Sequence, residues 1–138
     1  MCIRPVLLYG AETWALTDRV QNILITCDRK MLRYMAGISW EHRVRSAEVA
    51  RRCGLVEIER IIAARRLRWF GHVERRMEDE PLGRVRGVEV AGVRPRGRPK
   101  TTWMKSMEGT LRDYELRAED ALDRGTWRAT VDRLTSRN

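Results

Sequence analysis

A chain of 138 residues, 43% of them hydrophobic, is long enough for one core, so the sequence predicts one small domain or one domain with an appendage. Its formal charge is +9, and lysine stands only at 30, 100 and 105, so arginine supplies the other 25 basic residues. No apolar run approaches the roughly 20 residues of a membrane span, and no signal-peptide pattern is seen, so the guanidinium excess points to a polyanion, RNA or DNA, and not to a membrane or a small-molecule substrate.

The chain opens on Val6-Leu7-Leu8-Tyr9 before Gly10, too apolar for a free terminus. Residues 1–16 therefore read as the end of an element whose partners partly lie elsewhere. Thr17 is placed to cap a helix, with Asp18 in its first turn. From Asp18 to Ala36 the spacing is helical, and Val20, Ile23, Leu24, Cys27, Met31, Tyr34 and Met35 are expected on its apolar face. Gly37 suits the C-terminal cap. Trp40 is expected to anchor the following connection in the core. Ser46 is expected to cap a short helix, Ala47 to Cys53, that Gly54 ends. Short helix, glycine turn, longer helix is the outline of a helix-turn-helix. Glu57 and Glu59 would repel phosphate at the start of the second helix, which argues against base reading.

Residues 57–76 form the central helix of a subdomain spanning 17–77. At about 100° per residue, Ile58, Ile61, Ile62, Trp69 and Val73 fall on one side, and Ala63, Leu67 and Phe70 on another. A helix apolar on two sides is expected to touch more than one neighbour. Between those sides runs a strip with Arg60, Arg68 and Arg75, together with the small residues Ala64 and Gly71. Long cations beside small residues would let a phosphate backbone come close.

Residues 78–100 differ in kind. Pro81, Gly83, Gly87, Gly92, Pro95, Gly97 and Pro99 break any helix, and a flexible basic loop is expected. Pro95-Arg96-Gly97-Arg98-Pro99, flanked by Arg94 and Lys100, has the composition of an AT-hook, in which an extended Arg-Gly-Arg lies in a narrow minor groove. A connector that touches any phosphate, or none, has the same composition. Residues 101–138 return to helix. Thr101 or Thr102 caps a segment carrying Trp103, Met107, Leu111 and Tyr114. Glu115 to Ala118 turns the chain, a short helix follows near Glu119 to Leu122, and a last one near Thr126 to Leu134 aligns Trp127, Val131 and Leu134.

Catalytic and metal chemistry find little to stand on. The aspartates show no paired spacing suited to two metals. Cys2, Cys27 and Cys53 are scattered, and His42 and His72 are isolated, so no zinc module is expected. Cys27 and Cys53 read as buried thiols in a reducing compartment, nucleus or cytoplasm, and His72 as a structural histidine. No cofactor, metal or catalytic residue is assigned.

Five strings, in order, carry a family resemblance: Leu8-Tyr9-Gly10-Ala11-Glu12-Thr13-Trp14; Gly37-Ile38-Ser39-Trp40; Arg66-Leu67-Arg68-Trp69-Phe70-Gly71-His72-Val73; Arg96-Gly97-Arg98-Pro99-Lys100 before Trp103; and Asp120-Ala121-Leu122-Asp123-Arg124 before Trp127. Together they resemble the carboxy-terminal, thumb and post-thumb region of reverse transcriptases from non-LTR (LINE-like) retrotransposons. The resemblance covers nearly the whole chain. It implies that residues 1–16 end a thumb-like segment and that a helical extension follows. It also implies a basic surface that holds template RNA or target DNA beside a polymerase core. Nothing here matches the palm's Ala-Asp-Asp motif, the amino-terminal endonuclease or the Cys/His knuckle of some relatives, so the chain reads as a non-enzymatic fragment. The resemblance also makes the basic loop more a strand-gripping connector than a stand-alone AT-hook.

The expectation is thus an all-α, small helical bundle with a basic Pro/Gly/Arg-rich extended loop. Arg60, Arg68, Arg75, Arg94, Arg96, Arg98 and Lys100 are the expected phosphate contacts. Two further readings are a helical interaction or structural remnant that docks on a polymerase core, and an AT-hook-like minor-groove binder.

Overall fold

The computed structural model describes residues 3–76, 80–81, 83, 96–97 and 101–136. Among them the chain is all-α, with no strand. The helices are α1 (Ile3–Leu7), α2 (Asp18–Met35), α3 (Ser46–Arg52), α4 (Ile58–Glu74), α5 (Trp103–Asp113) and α6 (Arg124–Thr135). One-turn 3₁₀ segments lie at Trp40–His42 and Glu119–Leu122.

Local chemistry accounts for most helix ends. Extended Thr17 and Thr102 accept the backbone N–H of Val20 and Lys105, at 3.4 and 3.3 Å, and so open α2 and α5. Asp123 opens α6 by accepting from Gly125 N at 2.9 Å. At the other end of α2, Gly37 turns left-handed at φ 63. Its N–H reaches Tyr34 O, and the next, Ile38 N–H, reaches Arg33 O at 2.9 Å. This paired closure satisfies two carbonyls the helix leaves open. Gly54 closes α3 in the same way, and Glu115 closes α5 at φ 54 despite its side chain. Ser46 does not cap α3: the helix already includes it, and extended Arg45 precedes it without a side-chain cap.

Helix α4 is central, as its two apolar sides require. Its first half, through Ile58 and Ile62, packs with Leu8, Ala11, Leu16, Leu24 and Ile25. Its second half, through Ala64, Leu67 and Phe70, packs with Met107 and Leu111 of α5, Ala121, and Trp127 and Val131 of α6. A third cluster joins Leu32 of α2 to Val49 and Ala50 of α3. Strings far apart in sequence interlock here. Trp103 donates its indole N–H to Glu12 O at 2.8 Å, Trp127 donates to Leu67 O at 2.9 Å, and Phe70 lies 6.3 and 6.1 Å from the two indole rings.

Three expectations about burial need correction. Helix α2 buries Leu24, Ile25, Asp28 and Leu32, and leaves Ile23, Cys27 and Tyr34 exposed. The cause is Asp28, a buried acid in the middle of the inward stripe, where hydrophobic patterning would place none. Arg4 donates Nε and Nη2 to its two carboxylate oxygens at 2.7 and 2.8 Å, and Nη1 to Val56 O at 2.7 Å. That contact turns the helix away from its most apolar face. Cys27 is therefore exposed and Cys53 only half-buried. Trp40 is 82% exposed and anchors nothing in the core. In the opening segment Leu8 is buried while Val6 and Tyr9 face outward, so this apolar run is divided between core and surface.

Candidate nucleic-acid interface

The small residues of α4 do not open it to a phosphate backbone. Ala64 and Gly71 are buried, and a Cβ on Gly71 would stand 2.4 Å from Trp127 Nε1. The small residue admits an indole, not a phosphate backbone. The cations beside it are arranged differently from the expected strip.

Arg65, Arg68, Trp69 and His72 follow one another at intervals of one or three residues, which keeps them along one side of α4, and Arg76 follows just past its end, near His72. Arg65, Arg68, Trp69 and His72, with Glu12 and Thr13, line an open depression of about 460 Å³. His72, Arg75, Arg76 and Arg124 line a second of the same size. His72 belongs to both, so the two form one track that runs from the first turn of the chain to the start of α6. Within it the Trp69 and His72 rings lie 5.3 Å apart, tilted by 31°. Both residues are half-buried.

The charges on the track are partly spoken for. Arg68 donates to Asp132 at 2.8 Å, and Arg128 approaches the same carboxylate at 3.7 Å. The Arg68 hydrogen bond holds the Asp132 carboxyl below the usual carboxylate range, so it stays ionised and opposes Arg68. Arg65 donates to Leu8 O at 3.0 Å and lies 3.7 Å from Glu12. Arg76 pairs with Glu80 at 2.7 Å and approaches His72 Nε2 at 3.4 Å. Arg75 donates to Ala121 O, which ties α4 to the following turn. Among the described residues neither Arg75 nor Arg124 meets a carboxylate. The three pairs are all partly exposed, and exposed pairs are weak and screened by salt. A phosphate can therefore compete for those guanidinium groups.

Of the expected contacts, Arg68 and Arg75 lie on this track. Arg60 is exposed but borders another recess, with Arg51, Gly54, Leu55 and Glu57. Eight residues separate it from Arg68, about 80° of rotation and roughly 12 Å of rise, which puts it off the line. Arg96 is exposed beside Gly97. Arg94, Arg98 and Lys100 lie outside the described residues, and with them the Arg-Gly-Arg reading of the loop. Arg65, Trp69, His72 and Arg76 were not assigned from sequence, although their spacing was there to read. Arg124 had no such signal, because α6 alone brings it to the end of α4.

Among the described residues no group of three His, Cys, Asp or Glu side chains is placed to hold a metal. No described helix is long and apolar enough to cross a membrane. Compared with protein-family models, with curated proteins and with solved structures, the chain matches none.

Proposed function

We propose that this chain binds nucleic acid, template RNA or target DNA, as the thumb and carboxy-terminal part of a LINE-type reverse transcriptase whose polymerase active site lies elsewhere. The observation that carries this reading is the continuous track of Arg65, Arg68, Trp69, His72, Arg76 and Arg124. Guanidinium groups spaced along a helix neutralise successive phosphates, and a half-exposed indole beside them offers a face on which an unpaired base stacks. That pairing of charge with an aromatic platform favours a single strand over a duplex. Further along the chain the sequence supplies Arg84, Arg86, Arg94, Arg96, Arg98 and Lys100.

Salt-titrated anisotropy on single-stranded RNA, single-stranded DNA and A·T-rich duplex tests the reading. Affinity is expected to fall with salt by about 0.7 log units per log salt for each phosphate neutralised on a single strand. Asp132→Asn releases Arg68, so it should tighten binding and steepen the slope by about one such increment. Trp69→Ala should weaken single-strand binding by about 1–3 kcal/mol and duplex binding much less. A flat salt response, or an Asp132→Asn protein indistinguishable from wild type, would remove the track from the account.

A second reading has its own observation. Tyr34 is 90% exposed, and Ile23, Met35 and Trp40 are exposed with it. Large apolar side chains left outward suit docking on a polymerase core. The double variant Ile23→Ser, Tyr34→Ser should then lose binding to a core supplied in trans while keeping its affinity for RNA. Equal core binding by variant and wild type counts against it.

A further inference from the structure

Arg66, like Arg60, is an arginine of α4 that the track does not use, but unlike Arg60 it is buried. It is 3% exposed. Its Nη1 donates to Thr110 Oγ1 at 3.0 Å and its Nη2 to Ser106 Oγ at 2.8 Å, while Nε finds no acceptor. Both hydroxyls pass their own protons onward, Ser106 to Leu16 O at 2.9 Å and Thr110 to Ser106 O at 3.2 Å. They hold the guanidinium plane in place without opposing its charge. Among the described residues no carboxylate pairs with it. A buried cation held only by neutral partners is costly unless a counter-charge arrives.

The guanidinium lies at a cleft of about 910 Å³ between the start of α2 and one side of α5. Arg19, Lys105 and Arg112 line the same cleft, against Asp18 and Asp113. Gly109 also lines it, and a Cβ built there would meet nothing within 4 Å, so the helix backbone stands open to a ligand. The volume accommodates a nucleotide-sized group. None of these residues lines either depression of the α4 track.

We infer that this cleft is a second, separate anion site that takes a phosphate group, with Arg66 contacting the phosphate oxygens and Arg19, Lys105 and Arg112 drawing it in. A planar fork with unused N–H groups matches an oxyanion that offers two or more oxygens. That the phosphate is carried by nucleic acid rests on the function proposed above; the phosphate site itself does not.

The test reads thermal stability of the full chain against inorganic phosphate, and separately against a dinucleotide phosphodiester without a terminal phosphate. Chloride holds ionic strength constant, and an acetate series runs alongside. Ligand that binds only the folded state raises the transition temperature saturably. The wild type is expected to show that rise, and the arm that saturates lower distinguishes a terminal phosphate from an internal one. Arg66→Met removes the fork but risks the fold. Gly109→Glu keeps Arg66, sets a carboxylate in open space within the cleft, and is expected to weaken the response by about tenfold or more through like-charge repulsion. Gly109→Ala adds only a methyl and should keep it. No saturable rise in either phosphate arm, an equal rise in acetate, or an undiminished response in Gly109→Glu overturns the site. Because the inorganic phosphate arm needs no nucleic acid, the cleft and the track stand or fall separately.

Discussion

Asp28→Ala is expected to cost about 3–5 kcal/mol of folding stability, the range for removing one partner of a buried ion pair. Asp28 is 2% exposed and Arg4 8%. Both guanidinium–carboxylate bonds are short and nearly parallel in role, one through Nε and one through Nη2. Alanine would leave Arg4 charged, buried and held only by the Val56 carbonyl. It would also free α2 to turn toward the more apolar face that carries Ile23, Cys27 and Tyr34. Removing both charges is a different experiment. Arg4→Met with Asp28→Leu keeps volume and removes the desolvation cost, so the double variant should recover most of the loss. Guanidinium unfolding of the two single variants and the double variant measures the coupling. A loss below about 1 kcal/mol for Asp28→Ala is what a surface pair would give, and would contradict burial as the reason α2 faces as it does.

Gly71→Ala is expected to destabilise the fold by about 1–3 kcal/mol, the range for overpacking a filled interior. On an exposed helix the same change would help, by about 1 kcal/mol, because alanine is the better helix former. Packing reverses the sign. The added Cβ would stand 2.4 Å from Trp127 Nε1 and 2.6 Å from its Cδ1. That indole is 3% exposed and tied by its N–H to Leu67 O, with Phe70 against its ring. It is not the loose end of a flexible side chain, so it yields only by breaking that hydrogen bond and pushing α6 off α4. Thermal unfolding followed by circular dichroism reads the effect as a lowered midpoint. A Gly71→Ala protein as stable as wild type would mean that α6 slides freely on α4.

The sequence by itself determined several of the points where helices begin and end. Thr17, Thr102, Gly37 and Gly54 act on backbone groups within five residues, and sterics and hydrogen bonding at that range do not wait for the rest of the chain. It also determined that α4 is central, because two apolar sides on one helix demand more than one neighbour. The spacing of Arg65, Arg68, Trp69, His72 and Arg76 was legible too, although grouping residues into straight stripes hid it.

Only the tertiary structure decided which side of α2 turns inward, since Asp28 is a core residue solely because Arg4, 24 positions away, meets it. It decided that Gly71 makes room for Trp127, and that Arg124 completes a track begun on another helix. It decided that Arg66 is buried among hydroxyls beside an open cleft. The physical reason is common to all four. A charged or missing side chain has no preferred environment of its own, and its meaning is set by the groups that distant segments bring to it.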